Sequence, residues 1–127
     1  RGTRGDGRSR KERLTVGDSF YSKIGNRQTV TNTGTNAGVS ATQAAPGASL
    51  KLTCLGIQVS GDAAALVTIE SPASTMLWRE RFAAAFTKEV TFDPGTIVGA
   101  VNAAMLVKIS ASTSNCEANI ETAQMSG

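Results

Sequence analysis

The chain has 127 residues, the size of one domain, and a chain this long buries roughly two-thirds of its unfolded surface. Hydrophobic residues make up 40% and aromatics only 5%, so a core must be built from Val, Ile, Leu, Met and Ala, and its thin margin favours extra burial between subunits. Thirteen Lys and Arg against ten Asp and Glu give a net charge of +3, and the absence of histidine excludes His-activated nucleophiles, most zinc sites and an imidazole switch.

Residues 1–13 stand apart. They hold six cations, Arg1, Arg4, Arg8, Arg10, Lys11 and Arg13, against Asp6 and Glu12, a net of +4, while the rest of the chain carries seven basic and eight acidic groups, a net of −1. The basic balance therefore belongs to an N-terminal arm. With no apolar residue before Leu14, this Gly- and Arg-rich arm cannot fold alone. We expect it to be held by carboxylates of a partner or by phosphates, through charge-assisted arginine contacts. Arg4-Gly5-Asp6 matches an adhesion tripeptide, but three residues in such a tail are read as chance.

Residues 14–48 are expected to be an extended polar segment with short strands. The Thr-, Asn- and Gly-rich stretch 29–38 reads as a loop or poorly periodic edge. A strand can form around 27–33, and a short one at Val39–Gln43 ends before the Pro46-Gly47 turn. From residue 49 the pattern sharpens into a β-sandwich core spanning 49–127. Leu50, Leu52 and Cys54 alternate with Lys51 and Thr53. The phase slips at Leu55-Gly56, a bulge signal, and resumes with Ile57 and Val59. Ser60-Gly61-Asp62-Ala63 reads as a hairpin turn. In the next run Val67 and Ile69 point inward, and Ser71-Pro72 stops it.

The stretch 75–90 is ambiguous. As strands, 75–81 and 84–92 place Phe86, Val90 and Phe92 on one face, interrupted by Lys88. As a helix, Phe82, Ala85 and Phe86 share a side, and Ala favours helix over strand. The β-favouring neighbours and the turn signals on both sides decide for strands. Trp78 reads as a core or subunit-interface anchor, with Phe82 and Phe86 as further subunit-interface candidates.

The last third begins at the turn Asp93-Pro94-Gly95. An apolar stretch over 97–109 puts Met105, Val107 and Ile109 on one face and Leu106, Lys108 and Ser110 on the other. A polar turn over 110–115 then feeds a strand in which Cys116, Ala118 and Ile120 alternate with Glu117, Asn119 and Glu121, which reads as a hairpin. Cys54 and Cys116 have no paired spacing, so they read as buried thiols or as a bridge between neighbouring strands.

The run Pro94-Gly95, Gly99-Ala100-Val101-Asn102-Ala103-Ala104 and Ser110-Ala111-Ser112-Thr113 resembles the small β-sandwich proteins that decorate, or cement, the heads of tailed phages. The similar part covers roughly 46–120, and its motifs are compositional. The resemblance implies an all-β, antiparallel, jelly-roll-like sandwich with an extended basic arm. It also implies a homotrimer on the outside of the virion, with the major capsid protein as partner and the arm reaching over the shell.

No phosphate loop, dinucleotide fingerprint or nucleophile with its base occurs, so we expect a non-enzyme with no catalytic residue, metal or cofactor. No run approaches the ~18 apolar residues of a membrane span, and no secretory segment opens the chain, so synthesis in the host cytoplasm is expected. Glu117 and Glu121 read as a solvated face, with a calcium site as the alternative. Two other functions compete with the cement reading. One is a nucleic-acid-binding or internal shell protein using the arm on phosphates, which lacks support from aromatics among the arm's charges. The other is a receptor- or glycan-binding module, which a single Trp and a single Tyr disfavour.

Overall fold

Apolar–polar alternation is realised as β-strands throughout. The computed structural model describes residues 24–35, 38–111 and 115–126, which form eight strands and no helix. In chain order these are β1 (Ile24–Gly34), β2 (Val39–Gln43), β3 (Leu50–Gly61), β4 (Ala65–Glu70), β5 (Met76–Phe82), β6 (Phe86–Thr91), β7 (Met105–Ala111) and β8 (Cys116–Ser126). They make two four-stranded sheets, β1-β8-β3-β6 and β2-β7-β4-β5, in which every pairing is antiparallel. This is the strand order of an eight-stranded jelly roll, so the all-β sandwich class holds. The segment 14–48 supplies one strand to each sheet.

Stretch 75–90 is two strands, β5 and β6. Lys88, which breaks the apolar face of β6, has a partner: its Nζ lies 3.8 Å from a carboxylate oxygen of Glu80 on β5. Two expected hairpins are not hairpins. β3 and β4 lie in different sheets, as do β7 and β8, so 62–64 crosses between sheets and β7 and β8 are not hairpin partners. Alternation assigns a residue to a face but not a strand to a partner, and a short polar turn spans the ~10 Å between packed sheets as well as it closes a pair. The β4–β5 connection is a true hairpin. There the Ser71 N–H donates to the Thr75 carbonyl at 3.0 Å, and the Thr75 N–H donates to the Pro72 carbonyl at 2.9 Å.

The core lies between the sheets. Leu52, Cys54, Ile57 and Val59 of β3 and Cys116, Ala118 and Ile120 of β8 meet Val67 and Ile69 of β4 and Met105, Val107 and Ile109 of β7. Register shifts between Cys54 and Gly56, where the sequence phase slips, and this bulge keeps both halves of β3 facing inward. Cys54 pairs with Thr122, six residues along β8 from Cys116, so the thiols are about 20 Å apart at strand rise. A bridge needs Cα atoms within about 7 Å. The bridged alternative is thereby excluded.

After β6 the chain runs beside the first half of β3 without becoming a strand. The Phe92 N–H donates to the Leu55 carbonyl, Cys54 N–H to Ile97, Gly99 N–H to Leu52 and Asn102 N–H to Leu50. The turn 93–96 stands out from this path, closed by Thr96 N–H on the Asp93 carbonyl at 3.1 Å, with Gly95 at φ 86°. The Thr53 hydroxyl anchors it, accepting from the Gly95 N–H at 2.8 Å and donating to the Ile97 carbonyl at 3.2 Å.

Candidate functional site

The six arm cations, Arg1, Arg4, Arg8, Arg10, Lys11 and Arg13, lie outside the described residues. Within those residues no group of three His, Cys, Asp or Glu side chains is placed to hold a metal ion. What the fold does assemble is two polar outer faces of opposite charge.

The outer face of the β1-β8-β3-β6 sheet carries three polar rungs, each crossing all four strands: Thr33–Glu117–Ser60–Thr87, Thr31–Asn119–Gln58–Glu89 and Thr29–Glu121–Gly56–Thr91. They arise because alternation that turns Ile57, Val59, Ala118 and Ile120 inward must turn Gln58, Ser60, Glu117, Asn119 and Glu121 outward. A groove of about 470 Å³ crosses the face, from Arg27 and Thr29 to the Phe92–Pro94 wall. The middle rung is a directed relay. The Asn119 amide donates to the Gln58 Oε1 at 3.2 Å, and the Gln58 amide donates to a Glu89 oxygen at 3.1 Å. Glu89 can only accept when ionised, which sets the orientation of both amides and leaves Asn119 Oδ1 at the head of the relay. That oxygen is buried and has no hydrogen-bond partner among the described residues. Among the described residues the rungs and the groove wall hold four carboxylates, Glu89, Asp93, Glu117 and Glu121, against Arg27, which pairs with Glu121 at 3.0 Å, and Lys51, outward at the far end of β3. It is acidic and rich in acceptors.

The outer face of the β2-β7-β4-β5 sheet is basic. Its middle rung is Ser40–Lys108–Thr68–Arg79, with Arg81 beside Leu66 on the next. Lys108, Arg79 and Arg81 are exposed. The one carboxylate there, Glu70, is buried at the sheet's end and is held below its ordinary range. The Ser74 N–H donates to it at 2.8 Å, which outweighs burial, and the Thr68 hydroxyl at 2.9 Å and the Lys108 charge act in the same direction.

The aromatic candidates meet one another along the β5–β6 side, where the two sheets' edges face. Phe82 and Phe86 stack with centroids 4.3 Å apart, and Trp78 meets Phe92 edge-on at 5.9 Å. With Glu80–Lys88 between them they form a seam that joins the sheets. Phe86 is buried, while Trp78 and Phe82 are half-buried.

Sequence reasoning placed Glu117, Asn119 and Glu121 on one polar face but did not single out Gln58, Glu89, Arg79 or Arg81. Their signal is only the polar phase of each strand. That Gln58 stands between Asn119 and Glu89 depends on strand order.

The chain matches no protein-family model and no curated protein. Among solved structures it is similar to the CBM36-1 domain of a multidomain xylanase from the hindgut metagenome of Trinervitermes trinervoides. Identity is 17% and the TM-score 0.36, over 80% of this chain and 98% of the other. A likeness of that degree carries no argument about function.

Proposed function

We propose that the protein is a non-enzymatic structural component of a tailed-phage particle, which docks as a trimer on the outer surface of the capsid and cements neighbouring shell subunits. The observation that supports this reading most is the jelly-roll strand order, β1-β8-β3-β6 against β2-β7-β4-β5. That architecture recurs among viral capsid domains, lectins and cupins. The step from fold to function is an analogy, so the residues must choose among the three. A cupin-type metal centre calls for histidines, and the chain has none. A lectin stacks sugar rings on exposed aromatic side chains, and among the described residues the acidic face offers only Phe92, half-buried against Trp78. A particle-surface role needs neither, and it agrees with the resemblance of 46–120 to cement proteins.

In this reading the basic face meets carboxylates of the shell through Arg79, Arg81 and Lys108. Each exposed ion pair is worth about 0–1 kcal/mol, too little alone. Three copies in one trimer convert weak contacts into avidity, and binding only the assembled shell stabilises it by mass action. The arm's +4 charge supports a second reading, an internal shell protein whose arm lies on nucleic-acid phosphates.

Co-sedimentation with emptied capsid shells separates the two. The full chain should pellet with shells, the Arg79→Gln/Arg81→Gln/Lys108→Gln variant should bind at least about tenfold more weakly, and duplex DNA should not compete. Equal binding by the variant removes the basic face as the contact. Release by DNA favours the second reading.

A further inference from the structure

The acidic face has more acceptors than donors. Glu117 makes no ion pair among the described residues, and Glu89 and Glu121 each have only one oxygen engaged by a described side chain. Hydroxyl-rich ligands bring one donor and two acceptor lone pairs per hydroxyl and would leave this imbalance in place. A ligand that only donates removes it. A guanidinium carries five N–H donors and no acceptor, and the chain's first thirteen residues carry five arginines and one lysine.

We infer that the outer face of the β1-β8-β3-β6 sheet is the docking site for residues 1–13 of the same molecule, laid across the groove with their cations on Glu117, Glu121 and Glu89. Four observations carry this beyond the proposed function, on which it does not depend. Charges are complementary, +4 on the segment against four carboxylates and two cations, Arg27 and Lys51, on the described face. The first cation within the described chain already makes such a contact: Arg27, three residues into β1, holds Glu121 at 3.0 Å. The tether is long enough, because the ten residues 14–23 extend to about 33 Å, while β1 and β6, three strand spacings apart, are separated by about 14 Å. Finally, a short tether holds the segment at an effective concentration of about millimolar, so contacts that are individually weak suffice. A segment held there does not anchor the shell contact, which then falls to Arg79, Arg81 and Lys108.

Zero-length carbodiimide coupling tests this on the full chain, because Lys11 is the only lysine of the segment. In an equal mixture of ¹⁴N- and ¹⁵N-labelled protein at low salt, mass spectrometry should find Lys11 joined to Glu117, Glu121 or Glu89 within chains of one isotope. The yield should fall about tenfold near 1 M salt, where the screening length shrinks to about 3 Å. Replacing Arg4, Arg8, Arg10 and Arg13 by Gln should lower it similarly, although Lys11 and the sandwich are untouched. Cross-links spread evenly over Asp62, Glu80 and the face overturn the site. Mixed-isotope cross-links overturn the same-molecule assignment and place the segment on a second copy. A salt-insensitive yield overturns the charge argument.

Discussion

Gly99→Ala tests whether the 92–104 segment is locked against the sandwich. Gly99 is buried and its N–H donates to the Leu52 carbonyl at 2.9 Å. A Cβ at this position would overlap the Ser71 hydroxyl oxygen and lie 2.9 Å from Ser71 Cβ and 3.4 Å from Met105 Cε. Ser71 is 2% exposed and its hydroxyl donates to the Ala104 carbonyl at 2.6 Å, so it cannot turn aside without orphaning that group. Overpacking costs about 1–3 kcal/mol and the lost buried hydrogen bond about 1–3 more. The sum, about 2–6 kcal/mol, is a large share of the roughly 5–15 kcal/mol that holds a domain together. At about 3–5 °C per kcal/mol for a chain of this size, Tm should fall by roughly 6–30 °C. Gly95→Ala is the contrast: its φ of 86° is left-handed, but nothing lies within 4 Å of the new Cβ. It should cost only about 1–2 kcal/mol of backbone strain. Urea melts of both, and of Ser71→Gly/Gly99→Ala, decide the matter. Removing the Ser71 side chain should relieve the clash, so the double variant should be more stable than the two single losses predict, by about 0.5–3 kcal/mol. If Gly99→Ala melts within about 0.5 kcal/mol of the parent, or the two single effects simply add, the close packing described here is wrong.

Two further predictions follow from buried groups. Burial pushes the Cys54 thiol up to about 12, and burial followed by the Asp62 charge raises Cys116. Both should therefore resist alkylation at pH 8 in the native protein and react once it is denatured; modification of either within minutes under native conditions would contradict the core assignment. Glu70 is held below its ordinary 4.5, first by the Ser74 N–H, so the stability it contributes is present above that value and is lost as pH falls through the lowered one. Glu70→Gln should melt about 1 kcal/mol lower at pH 7, since a charge-assisted hydrogen bond becomes neutral, and should lose less stability between pH 5 and 3 than the parent. Parallel pH profiles for the two proteins would show that Glu70 does not titrate as argued.

The two outer faces give the sandwich a charge asymmetry that the +3 of the whole chain conceals. Glu89, Glu117 and Glu121 lie on one side and Arg79, Arg81 and Lys108 on the other. Within the described residues this separation is produced entirely by which phase of each strand is polar. It places an acidic face on the sheet whose edge strand, β1, begins where the basic arm's tether ends.

The sequence by itself determined the strands and the side to which each residue turns. The Val39–Gln43 strand, the bulge at Leu55-Gly56 and the inward rows Met105-Val107-Ile109 and Cys116-Ala118-Ile120 were all legible, because a period of two is local and needs no knowledge of the partner. Pairing was not legible. The stretches 60–63 and 110–115 carry hairpin residues, yet the strands flanking each lie in different sheets, because turn chemistry permits a reversal without specifying which neighbour lies beside it. Only the tertiary structure brought Glu80 to Lys88, Phe82 to Phe86, and the strands of Asn119, Gln58 and Glu89 into one rung. It separated Cys54 from Cys116 for the same reason. Each of these contacts depends on the order of strands, and that order is set by how two apolar faces close on each other over the whole chain.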